Sequence, residues 1–101
     1  MREHGGTING GLIVAGEARV TGVVNDGLVV EPGARVELPG IVNGGALVEE
    51  GSELVLSGVL NGPLLNRGGR VRITGIAERA DLSDPGITLG PGGVVNRPGA
   101  A

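Results

Sequence analysis

Gly22-Val23-Val24-Asn25-Asp26-Gly27-Leu28-Val29-Val30-Glu31-Pro32-Gly33-Ala34-Arg35-Val36-Glu37-Leu38-Pro39 runs straight into Gly40-Ile41-Val42-Asn43, where the same phrase begins again. The tetrapeptide Gly-x-apolar-Asn also stands at Gly6-Thr7-Ile8-Asn9, Gly58-Val59-Leu60-Asn61 and Gly93-Val94-Val95-Asn96, with Gly75-Ile76-Ala77-Glu78 as a variant. Steps between copies are 16, 18, 18, 17 and 18 residues, so six copies fill the 101-residue chain. A short period of this kind marks a solenoid, in which one repeat is one coil that cannot bury its apolar face alone.

A finer period lies inside the repeat. Val24, Val30, Val36, Val42, Val48, Leu54 and Leu60 are six apart. One residue is then missing, and Leu65, Val71, Ala77, Ser83, Leu89 and Val95 resume the spacing; Ile8, Val14 and Val20 precede it, with two residues missing before Val24. Three hexads make one coil with three short sides. The expected fold is all-β: a single-domain parallel β-helix (β-solenoid) of about six coils of 16–18 residues and triangular cross-section, right-handed favoured over left-handed. It spans residues 6–98, with residues 1–5 and 99–101 as flexible termini. Strand alternation points Val36, Leu38, Leu54, Leu56, Val71 and Ile73 inward and Arg35, Glu37, Glu53, Arg70 and Arg72 outward.

The Asn column suits a corner, because Asn tolerates left-handed backbone and bonds its own turn. Stacked amides can also form a ladder along the axis. Glu78 interrupts that column. On the outward face, Arg19, Arg35, Glu53 and Arg70 are expected to stack at one position of successive coils. Glu31, Glu49, Asn66 and Asp84 are expected on another edge, with Arg67 beside Glu50. Calcium needs six or more oxygen ligands, so that edge is not expected to bind metal. Ala80-Asp81-Leu82-Ser83 matches one pentapeptide-repeat unit, but a single copy builds no such fold.

Composition narrows the function classes. The chain has no Phe, Tyr, Trp or Cys, 22 Gly and 6 Pro, and a net charge of −3. Without aromatic rings there is no stacking platform for bases, and an acidic chain does not favour a phosphate backbone. No nucleic-acid partner is expected. Cysteine chemistry is excluded. Residues 1–6 lack the apolar core of a signal peptide, and no run reaches membrane-spanning length, so a cytoplasmic location is expected.

Runs such as Leu28-Val29-Val30-Glu31-Pro32-Gly33-Ala34-Arg35-Val36-Glu37 and Leu47-Val48-Glu49-Glu50-Gly51-Ser52-Glu53-Leu54 resemble coils of the bactofilin family, over roughly residues 6–96. That resemblance implies a right-handed β-helix stacking end to end into nonpolar filaments without nucleotide. The apolar N-terminal tail by which members often bind membranes has no counterpart before Gly6, so membrane attachment is not expected. The six-residue spacing is also similar to the left-handed hexapeptide-repeat helix of acyltransferases, where a loop His is the general base. Here the lone histidine, His4, precedes the first tetrapeptide and no loop insertion interrupts the repeat. No catalytic residue, cofactor or enzyme activity is therefore expected.

The expected function is that of a structural, self-assembling scaffold. Its contacts would lie at the coil ends, through Ile8, Leu12 and Val14 at one and Leu89, Val94 and Val95 at the other. The partner is then a second copy of the chain. The alternative is a binding module whose flat Val55/Arg72 side docks another protein.

Overall fold

Period-two alternation within each hexad makes short strands, and the computed structural model, which describes residues 2–80 and 86–98, stacks them in three walls of parallel strands. The first wall holds β1 (Arg2–His4), β4 (Glu17–Val20), β7 (Arg35–Leu38), β10 (Glu53–Leu56), β12 (Arg70–Ile73) and β14 (Ile87–Leu89). The second holds β2 (Thr7–Ile8), β5 (Val23–Val24), β8 (Ile41–Asn43), the start of β11 (Val59–Asn66), β13 (Ile76–Ala80) and β15 (Val94–Pro98). The third holds β3 (Leu12–Val14), β6 (Leu28–Val30), β9 (Ala46–Val48) and the end of β11. Ser83, Asp84 and most of the Ala80–Ser83 unit fall outside the described residues, as do 99–101. The six rungs of the second wall enclose about five turns, one fewer than a count of tetrapeptides suggests. The ladder also starts before Gly6, since Arg2–His4 pairs with Ala18–Val20.

The bore is filled as the hexads require. Val24, Val30, Val36, Val42, Val48, Leu54 and Leu60 are all fully buried. Their partners Val20, Leu38, Leu56 and Ile73 are equally inaccessible, so the first wall contributes two inward residues per rung.

Register places the missing residues elsewhere than the hexad count did. Asn66, not Leu65, pairs with Val48, and Leu64 pairs with Ala46. Leu64 is therefore buried, while Leu65 is 57% exposed. The shortfall lies after Asn66, in a corner where Asn66 Oδ1 accepts from Gly69 N at 2.8 Å and Asn66 Nδ2 donates to Gly69 O at 2.9 Å. A polar residue can thus occupy an inward column because one glycine satisfies both ends of its amide. Likewise Ala18, not Val20, is the partner of Val36, and the first coil is short between Val14 and Ala18. In the last described rung Ile87 pairs with Val71, and Leu89 takes the second inward place beside Ile73.

From the second copy onward the glycine of the tetrapeptide is required by proximity, whereas Gly6, in the lowest coil, has φ 77° and nothing within 4 Å of its Cβ position. A Cβ on Gly22, Gly40, Gly58 or Gly75 would lie 1.9–2.1 Å from the carbonyl oxygen of the equivalent glycine one coil below. At the Asn corner left-handed backbone occurs just after the Asn, at Gly10, Gly11, Asp26, Gly27, Gly44, Gly45 and Gly62. Asn was expected to take that conformation itself; none of the described Asn residues has a positive φ, Asn43 and Asn61 end or continue strands, and the residues that follow make the corner.

Asp26, at φ 74°, is the lone non-glycine residue in this conformation among the described residues. Its equivalents Gly10, Gly44 and Gly62 have φ of 97°, 100° and 105°. Left-handed backbone costs a side-chain-bearing residue roughly 1–2 kcal/mol, less for Asp, and glycine's unfolded-state entropy returns part of that. Asp26→Gly is expected to raise stability by about 0.5 kcal/mol, or a few degrees in a thermal melt. A lower melting temperature would show that Asp26 has an unrecognised favourable contact.

Candidate functional site

The chemistry of the surface is divided among corners, walls and ends. At the corner between second and third walls the Asn side chains form the expected ladder. Nδ2 of Asn25 donates to Oδ1 of Asn9 at 2.9 Å, Asn43 to Asn25 at 3.0 Å, and Asn61 to Asn43 at 2.8 Å. Every internal amide gives one bond and takes one, which fixes register along the stack. Glu78 ends the series for a chemical reason. A carboxylate is an acceptor only, so it offers Asn61 no donor; Glu78 Oε1 instead accepts from Gly62 N at 3.2 Å.

The first wall carries charge in alternation. Glu17, Arg35, Glu53 and Arg70 stack in one outward column. Glu17 thus occupies the place expected for Arg19, because the first coil is short before Ala18 rather than after Val20. Arg19 belongs to the neighbouring column, Glu3–Arg19–Glu37–Val55–Arg72. Only Arg35 Nε to Glu53 Oε2, at 3.4 Å, closes to an ion pair on this wall among the described residues. Exposed pairs of this kind contribute a few tenths of a kcal/mol, so the wall is register support.

On the edge between third and first walls, Glu31, Glu49 and Arg67 follow Val30, Val48 and Asn66. Arg67 therefore takes the position expected for Asn66. Its Nη1 lies 3.9 Å from Glu49 Oε1, and so the arginine compensates Glu49 rather than Glu50. Glu49 Oε1 is shielded from solvent and has no hydrogen-bond partner. No cluster of three potential metal ligands occurs among the described residues.

The six residues expected at the coil ends separate into two groups by position in the stack. Ile8, Leu12 and Val14 occupy inward columns of the lowest rung, paired with Val24, Leu28 and Val30. Val14 is buried, while Ile8 and Leu12 are partly buried against the core. Leu89 and Val95 hold inward places in the uppermost described strands, above Ile73 and Ala77. Leu89 is 43% exposed although Ile73 beneath it is fully buried. Val94 differs: its partner Ile76 faces out, and Val94 is itself exposed on the outer surface of the second wall.

His4 stands in the inward column under Val20, half-buried, and its carbonyl accepts from Thr21 N at 2.9 Å and Gly22 N at 3.2 Å. It is part of the first rung rather than a residue ahead of it. Known protein families, characterised proteins and solved structures were all compared with the chain. None matches. Geometry alone therefore carries the functional argument. No helix among the described residues is long and apolar enough to cross a membrane.

Two outward columns were not foreseen. Val23, Ile41, Val59, Ile76 and Val94 run up the second wall, and Ile13, Val29, Leu47 and Leu65 up the third. The signal was present in the x of Gly-x-apolar-Asn, which is β-branched in every copy.

Proposed function

We propose that the protein is a non-enzymatic structural scaffold that associates with further copies of itself through the ends of its coils. The carrying observation is Leu89, which continues a buried inward column and yet is 43% exposed at the top of the stack. Ile8 and Leu12 are the corresponding incompletely covered residues at the bottom. An open end also presents strand groups that a further rung would pair, and solenoids that remain single are usually closed by polar caps. The likeness of residues 28–37 and 47–54 to bactofilin coils supports the same reading, with a cytoskeletal polymer as its specific form and the cytoplasm as its place of action.

Light scattering over a concentration series, with negative-stain microscopy, tests it. The expected result is mass that rises with concentration and elongated particles. Leu89→Glu, at a partly exposed site, is expected to weaken that association at least ten-fold while the circular dichroism spectrum is retained. A monomer of constant mass with no filaments would overturn the proposal.

A further inference from the structure

Charge and apolar surface are segregated by wall. On the third wall the outward column Ile13–Val29–Leu47–Leu65 forms a ridge parallel to the solenoid axis. Its outer members Ile13 and Leu65 are 66% and 57% exposed. Beside it the corner is built largely of glycine in left-handed conformation, and along the two hollows only Asp26 and Pro63 carry side chains there. The result is a trough along the ridge. One hollow of about 210 Å³ lies between Gly27, Gly44 and Gly45 and the side chains of Val29 and Leu47. A second, of about 380 Å³, continues it past Gly10, Gly11 and Ile13.

We propose that two copies of this chain pair laterally through their third walls, the ridge of each lying in the glycine trough of the other. A ridge with a trough at its side is complementary to itself under one operation. A two-fold axis parallel to the solenoid carries each ridge over the partner's trough, whereas a two-fold axis running across it sets ridge on ridge. The pair is therefore parallel, with equal rungs facing each other, and the interface is isologous.

The flanking chemistry argues against a lipid surface as occupant. Glu31 and Glu49 border the ridge with Arg67 as the one basic residue in that row, and the chain's net charge is −3. Interfacial segments that bind anionic headgroups carry Lys and Arg on their flanks. Size sets the strength. An envelope of 31 × 24 × 23 Å limits one wall to roughly 700 Å², just under the about 800 Å² per partner of a standard interface. A single pair is thus weak and is read at high concentration. Copies stacked end to end would present a continuous ridge, and the contact would then strengthen with length.

This surface is separate from the coil ends, and the experiment keeps the two apart by using Leu89→Glu as background. In that background, sedimentation equilibrium up to about 1 mM is expected to show monomer and dimer. Adding Leu47→Glu, on the outer face, is expected to weaken the dimer at least ten-fold with the thermal melt little changed. Ile41→Glu, on the second wall, leaves it intact. The chain contains no cysteine, so single spin labels at Ile13→Cys and Val29→Cys are expected to give equal inter-copy distances. A strictly monomeric background, a dimer indifferent to Leu47→Glu, or unequal label distances would overturn the lateral pairing. If Leu89→Glu leaves end-to-end growth untouched, the coil-end reading fails, and the lateral pairing is judged by the remaining measurements.

Discussion

Gly58→Ala is expected to leave the chain unfolded at room temperature. The added methyl would lie 1.9 Å from Gly40 O, 2.5 Å from Pro39 O and 2.6 Å from Pro39 C. All three are backbone atoms, so no rotamer change relieves the overlap. Moving the rungs apart would break the bonds from Gly58 N to Leu38 O at 2.8 Å and from Val59 N to Gly40 O at 3.0 Å. The same spacing recurs at Gly22, Gly40 and Gly75, so local strain has nowhere to dissipate along the stack. A cost above about 4 kcal/mol is of the same order as a small domain's whole stability. Gly33→Ala is the control. Gly33 has φ 78° but nothing within 4 Å of its Cβ position, so it carries only the left-handed penalty of about 1 kcal/mol. Circular dichroism melts of both variants check this; equal destabilisation would show that close approach is not what demands glycine in the tetrapeptide.

Val42→Asp is expected to abolish folding as well, by a different route. Val42 is wholly inaccessible, held between Val24 below and Leu60 above in the second wall. An Asp there would either bury an unpaired charge or be forced to remain protonated, and both are costly in a bore lined by aliphatic side chains. Glu37→Ala, one wall away and outward-facing, is expected to change stability by less than about 0.5 kcal/mol. Urea titrations of the pair are decisive, since similar losses from both would mean that the inward and outward faces are reversed.

The hexad heads were legible because a narrow bore admits little besides Val, Leu and Ile at its inward positions. Where a coil loses residues was not legible. At Leu65-Asn66 the unbroken count of six falls on the polar Asn66 while the apolar choice is Leu65, and only the pairing of Asn66 with Val48 decides which of the two faces inward. At Ala18-Arg19-Val20 both outer residues face inward, and the larger one drew the assignment. Corner length has no hydrophobic signature, since it changes no residue's polarity. The Asn ladder was legible from chemistry, but the left-handed backbone belonged to the following residues, a matter of corner geometry rather than of residue type. The coil-end residues could be placed by position in the repeat. The third-wall ridge escaped notice because an isolated outward Leu or Val is unremarkable until register lines four of them up.

The corners differ in what they tolerate. From inward residue to inward residue, the Asn corner spans four positions at Ile8–Leu12, Val24–Leu28, Val42–Ala46 and Leu60–Leu64, wherever the amide ladder runs, and three at Ala77–Ala80, where Glu78 interrupts it. The edge between third and first walls spans four at Val14–Ala18, six at Val30–Val36 and Val48–Leu54, and five at Asn66–Val71. One seam of the molecule keeps a strict count while another does not, because only the first is locked by amides bonded coil to coil. A foreign peptide spliced between Glu50 and Gly51 would therefore bulge from the loose edge and leave the stack untouched. The chain is in effect a rod with one side already suited to carrying cargo.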